Sequence, residues 1–142
     1  MMEWFSVTLR CHHPNWDPND ISAQLGMTPD VRWKAGEERR TPKGQVLDGQ
    51  NKSSYWCSPE LGGSWDDPPK ALMDHLEMLE SNRAFIEGFV ATGGRIELFL
   101  GWGLLGPSGG QLLDAVLLRR LGELHVDLSI DVYAQELKKV TV

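Results

Sequence analysis

His125-Val126-Asp127-Leu128-Ser129-Ile130-Asp131-Val132-Tyr133 alternates without a break: Val126, Leu128, Ile130 and Val132 fall on one side, and Asp127, Ser129, Asp131 and Tyr133 on the other. A period of two marks a strand with one face against a core and the other toward water. Upstream, Asp114 is placed to cap a helix through Leu121 that ends at Gly122. Before that, Arg95 to Trp102 alternates again, with Ile96, Leu98, Leu100 and Trp102 together. The C-terminal part therefore reads strand, helix, Leu121-Gly122, strand. The N-terminal part repeats that order. Trp4 to Cys11 sets Phe5, Val7, Leu9 and Cys11 against Trp4, Ser6, Thr8 and Arg10. Asp17 then caps a short helix from Pro18 to Leu25, Gly26 ends it, and Val31 to Gly36 reads as the next strand. Two such units predict an α+β fold. It is one domain over residues 1–142, with about five mainly antiparallel strands and helices on one face, a variant of the ferredoxin-like arrangement.

Between the units lie a third strand, Ser54 to Ser58, and two helical stretches. In the strand, Tyr55 and Cys57 share one face and Trp56 takes the other. Leu72, Leu76 and Leu79 recur at helical spacing with Asp74, Glu77 and Glu80 pointing away, and Phe85, Ile86, Phe89 and Val90 form a second apolar stripe that Gly93-Gly94 stops. Residues 38–52 carry Gly, Asn and Lys without periodicity and read as a long surface excursion.

Leu25-Gly26-Met27-Thr28-Pro29, Trp33-Lys34-Ala35-Gly36-Glu37, Arg40-Thr41-Pro42-Lys43-Gly44 and Tyr55-Trp56 resemble, in order and spacing, the N-terminal signature of the bacterial DUF4279 family. Leu117-Leu118-Arg119-Arg120-Leu121-Gly122, followed by a strand closing in Asp131-Val132-Tyr133, resembles that family's C-terminal pattern. The resemblance spans most of the chain and rests on turn formers and core apolar residues. It implies a shared fold and a bacterial cytoplasmic domain, and it implies no activity, since the family is one of unknown function.

With 41% hydrophobic and 24% charged residues over 142 positions, the composition is that of a globular domain rather than a disordered or disulfide-stapled chain. No apolar run is long enough to cross a bilayer and Met1-Met2-Glu3-Trp4-Phe5 lacks the flank of a signal peptide, so the expected setting is cytoplasmic, with no membrane partner. A net charge of −6 argues against a nucleic-acid partner, because phosphate binding depends on surplus Lys and Arg. The acidic excess belongs to the second half. In the first, Arg32, Lys34, Arg39, Arg40 and Lys43 gather against only Glu37 and Glu38.

Catalytic motifs are weak. Gly101-Trp102-Gly103-Leu104-Leu105-Gly106 matches a dinucleotide fingerprint in letters, but Pro107-Ser108-Gly109-Gly110 continues the loop where a helix would have to open. No cofactor is expected. Cys11, His13 and Cys57 are the nearest approach to a metal-ligand or small-molecule site, the alternative reading being an enzyme centred on them, although no CxxC or HxxxH spacing pre-assembles such a set. Asp127 and Asp131 share a strand face yet stand roughly 13 Å apart along the backbone, too far for a glycosidase pair. No G-x-S-x-G elbow occurs.

Six tryptophans remain to be explained. Alternation is read as placing Trp4 and Trp56 on the helix-free face, together with Arg10, Phe99, Arg95 and Tyr133, while Trp33 and Trp65 sit beside turns as packing anchors. Trp4, Arg10, Arg39, Arg40, Trp56 and Tyr133 are the expected binding residues of a non-enzymatic domain that engages another protein or a second copy of itself. The competing expectation is that residues 38–52 fold back over these rings and make a second small core.

Overall fold

A computed structural model describes residues 3–62 and 66–135. The elements run β1 (Trp4–His13), α1 (Pro18–Leu25), β2 (Val31–Trp33), β3 (Glu38–Arg40), β4 (Val46–Gln50), β5 (Ser54–Cys57), α2 (Pro68–Glu80), α3 (Arg83–Ala91), β6 (Arg95–Leu105), α4 (Ala115–Glu123) and β7 (Val126–Gln135). Five strands form one sheet in the order β2-β5-β1-β6-β7, and β3 and β4 form a separate two-stranded hairpin. All pairs in the main sheet are antiparallel except β6–β7. The α+β reading holds, with one difference between its two units. β6-α4-β7 closes on adjacent parallel strands, whereas β1 and β2 run parallel with β5 inserted between them. Only the first unit is split as in a ferredoxin-like sheet.

The helices form where local chemistry directs them. Asp17 accepts a hydrogen bond from Asn19 N at 2.9 Å, Pro18 occupies the first turn, and Gly26 ends α1 in the left-handed region at φ 64°. Asp67 caps α2 by accepting from Lys70 N, and Asp114 caps α4 by accepting from Leu117 N at 2.9 Å. The end of α4 departs from the sequence reading. Gly122 lies inside the helix, Leu124 follows it, and the left-handed residue is His125 at φ 59°. Leu25-Gly26 and Leu121-Gly122 thus look alike in sequence and play different roles.

All four helices cover one face. Phe5, Val7, Leu9 and Cys11 of β1 and Ile96, Leu98, Leu100 and Trp102 of β6 meet Ile21, Leu72, Leu76, Leu79, Ile86, Phe89, Leu117 and Leu121 in a single core. Arg120 of α4 is ion-paired with Glu80 of α2, which ties the helix layer together.

Trp56 also belongs to this core, contrary to the sequence expectation. It is fully buried, opposite Cys11 in the β1–β5 register, and its Nε1 donates to Ser22 Oγ of α1 at 2.9 Å. A buried indole needs an acceptor for its N–H, and α1 supplies one. Tyr55 and Cys57 therefore take the helix-free face.

The excursion expected over residues 38–52 is the β3–β4 hairpin, anchored by Gly36 N to Asn51 O at 2.8 Å and Asn51 N to Glu37 O at 2.9 Å. Its side chains from Glu38 to Gln50 are exposed, apart from a half-buried Thr41. It forms no second core.

The helix-free sheet face as candidate functional site

The helix-free face carries Trp33 and Val31 of β2, Tyr55 and Cys57 of β5, the even-numbered residues of β1, and Arg95, Glu97 and Phe99 of β6. Strand register brings them into rows. Trp33 is paired with Tyr55, and Tyr55 with His12. The rings follow the register: Trp33 stacks on Tyr55 with centroids 4.5 Å apart, and Tyr55 meets His12 at 5.0 Å. Trp33 is 42% exposed at the outer end of this row. It is a surface ring on an edge strand rather than the packing anchor expected from its place beside a turn. Trp65, the other expected anchor, lies outside the described residues.

The next rows are polar. The Arg10 guanidinium sits 3.5 Å above the centre of the Phe99 ring, a cation held on an aromatic face. Glu97, nearly buried, accepts from Ser129 Oγ at 2.6 Å and stands 3.5 Å from His12 Nε2. Burial, together with the positive charge of Arg95, holds the His12 imidazole below its ordinary pKa against the opposing pull of Glu97. Tyr55 is pushed up to about 12 by burial and by its hydrogen bond with Cys57. At neutral pH this end of the face presents a neutral phenol, a predominantly neutral imidazole and fixed guanidinium charges.

At the far end of the same face, Trp4 lies flat over β6. An added Cβ on Gly101 would stand 3.5 Å from the ring, and one on Gly103 would overlap it. The indole stacks on Tyr133 with centroids 5.8 Å apart, and both rings stay partly exposed, Trp4 at 38% and Tyr133 at 49%. The Gly-Trp-Gly triplet is thus interior to a strand that continues to Leu105; Gly103 clears space for the Trp4 ring, and a Cβ on Gly101 would crowd Ser6 Oγ at 2.7 Å.

Of the expected binding residues, Trp4, Arg10 and Tyr133 occupy the helix-free face and Trp56 does not. Arg39 and Arg40 are exposed on the hairpin. Arg40 lines a cleft of about 720 Å³ together with Val31, Arg32, Trp33, Glu37 and Pro42. Arg39 lines another, of about 540 Å³, with Trp33, Asp48 and Asn51. Trp33 is common to both. Each arginine is braced locally, Arg39 by Asp48 O at 3.1 Å and Arg40 by Gly44 O at 3.2 Å and Glu38 at 2.9 Å.

Cys11, His13 and Cys57 do not converge. Cys11 and His13 face the helices, whereas Cys57 lies on the opposite side and its thiol donates to Ser58 O. Burial pushes the Cys11 thiol well above its ordinary pKa. His13 has a structural task. Its Nδ1 accepts from Asn15 N and Trp16 N, both at 3.1 Å, and its Nε2 pairs with Thr92 Oγ1 at 2.8 Å. Two backbone donors fix Nδ1 as the acceptor, so the proton resides on Nε2.

Sequence reading missed Trp33, Tyr55 and His12 as one row of contacting rings. Alternation alone gives the faces of a strand, while the row depends on which strands are neighbours.

The family model for the domain of unknown function DUF4279 matches residues 2–135, nearly the whole chain. The chain belongs to the DUF4279 family. The matched span contains every element from β1 to β7, so the family corresponds to this sheet with its four helices and hairpin. No curated protein and no solved structure matches the chain significantly. Among the described residues, no helix is long and apolar enough to cross a membrane.

Proposed function

We propose that this member of the DUF4279 family is a non-catalytic bacterial, cytoplasmic binding domain. In this reading, the β2 end of its helix-free face receives a segment of a partner protein that presents carboxylates beside an apolar side chain. The observation that carries the proposal is the aromatic row Trp33–Tyr55–His12, in which Trp33 stacks on Tyr55 and His12 meets Tyr55 at a tilt, open at Trp33 and flanked by Arg39 and Arg40 on the hairpin. Rigid aromatic rings with nearby guanidinium groups are the side chains that dominate binding energy at protein interfaces. Arg32, Lys34, Arg39, Arg40 and Lys43 outnumber the carboxylates of Asp30, Glu37, Glu38 and Asp48 at this end, a slight local positive excess in a chain of net charge −6 that favours an acidic segment here over the acidic remainder. A non-catalytic role is in keeping with the face's chemistry: Tyr55 stays protonated, and the Cys57 thiol is occupied with Ser58 O.

The test is reciprocal. A protein captured from native cells is purified and its affinity measured for the wild-type chain, for Trp33→Ala and for Leu118→Ala on the exposed side of α4. The proposal expects a loss of about tenfold or more for Trp33→Ala, none for Leu118→Ala, and weakening by salt. Equal affinity for all three chains overturns it.

A further inference from the structure

We infer that β7 is a self-association edge, pairing antiparallel with β7 of a second copy so that two sheets join into one. The two edges of the main sheet differ sharply. β2 is three residues long and followed closely by the hairpin, whereas β7 is ten residues long and, among the described residues, has β6 as its only strand neighbour. A long edge strand with unpaired backbone groups is a template for another strand, and proteins usually blunt it with Pro, Lys, a bulge or a cover. β7 contains no Pro and no Lys, its two charged residues, Asp127 and Asp131, both lie on the helix-free face, and its pairing with β6 runs unbroken from Val126 to Gln135.

Its side chains are also unusually bare. Val126 is buried at the start of β7, but Ile130 is 46% exposed and Val132 52%, although both point to the side the helices cover elsewhere. The helix layer stops short of the second half of this strand.

The sequence of β7 is complementary to itself in one central register. A two-fold axis perpendicular to the sheet keeps both helix layers on the same side, so each residue must meet one of its own face. With Ile130 opposite Ile130 of the second copy, Leu128 meets Val132 and Val126 meets Ala134, giving an apolar strip along the bare side. On the other face, Ser129 meets Asp131 and Asp127 meets Tyr133, so no carboxylate lies directly across from another. Sliding one step either way sets Asp127 opposite Asp131, or Asp131 opposite itself, and like charges in direct opposition destabilise a strand pair. The centred register combines long overlap with the absence of that repulsion.

The test is the mass of the full chain in solution. At about 100 µM, well above a micromolar dissociation constant, the wild type is expected at twice its 15.9 kDa. Ile130→Lys sets two ammonium groups across the axis and is expected to weaken association by at least tenfold, a rough lower bound for opposed like charges with loss of the apolar pair. Because Ile130 is half exposed, circular dichroism of this variant should match the wild type. Val132→Lys gives the same readout should Ile130→Lys perturb folding. Leu112→Lys, which removes an apolar side chain 80% exposed outside β7, is expected to leave the dimer intact. A monomeric wild type, or a dimer that survives both β7 variants, overturns the inference.

Discussion

The indole of Trp4 lies flat against the backbone of Gly103, so close that a methyl group on that glycine would occupy the space of the ring. The two residues belong to paired positions of β1 and β6, and the next residue in that row, Tyr133, stacks with the indole. An aromatic side chain here roofs the end of the sheet, where glycine is the only residue that admits it.

Coupling between these positions is directly measurable. Gly103→Ala is expected to destabilise the fold by about 1–3 kcal/mol, as for overpacking at a close contact. In a Trp4→Ala background the same change should cost little. Equilibrium denaturation of the four proteins gives the interaction energy, and additive effects would contradict the contact.

Trp56 and Trp33 should separate stability from recognition. Trp56→Ala removes a fully buried ring and leaves Ser22 Oγ without its donor, and a loss of about 3–5 kcal/mol is expected. Trp33→Ala, at an exposed edge, should stay within about 1 kcal/mol of the wild type. Denaturant titration of both variants checks this, and similar losses would contradict the placement of the two rings.

The histidines predict how stability responds to acid. Burial lowers the pKa of His13, and burial with Arg95 lowers that of His12. The folded state therefore refuses protons that the unfolded chain accepts from about pH 6.5 downward. The contribution of both neutral imidazoles is complete above pH 6.5 and is lost as pH falls through that value toward the depressed folded-state pKa values. Denaturation at pH 7.5, 6 and 5 should show a steady decline, with ring titration by NMR placing both groups below 6.5. Higher stability on acidification would contradict the assignment.

Removing the His13 side chain strands two backbone donors. His13→Ala frees the N–H groups of Asn15 and Trp16 and removes a ring packed 4.9 Å from Phe89. A loss of about 2–4 kcal/mol is expected, with faster amide hydrogen exchange confined first to residues 15–17. Unchanged protection there would contradict the role of Nδ1.

What sequence could show here depended on distance along the chain. α1 was legible because Asp17, Pro18 and Gly26 act on neighbours within one helix. The period-two runs of β1, β6 and β7 were legible because each is long enough for parity to fix its core side. Parity was insufficient for β5, where four residues include large rings on both faces and the choice depends on Ser22 of α1 meeting the Trp56 N–H. Gly101 and Gly103 resemble a loop motif because the side chains that crowd them, Ser6 Oγ at Gly101 and the Trp4 ring at Gly103, come from β1, far away in sequence. The hairpin escaped notice because β3 and β4 are exposed on both faces and carry no apolar rhythm. Gly122 suggests a helix end that falls instead at Glu123, with Leu124 as the cap and His125 taking the positive φ.

The claim that the helix-free face near Trp33 is the recognition surface is tested most directly by photocrosslinking in native cells. A benzophenone amino acid would be installed at Val31, 40% exposed beside Cys57 on that face, and in a second chain at Leu118 on α4, 49% exposed. A discrete heavier adduct from position 31, absent from position 118 and abolished by adding Trp33→Ala, is the predicted result. An adduct from position 118 alone, or one from position 31 that survives loss of the Trp33 ring, would contradict the account.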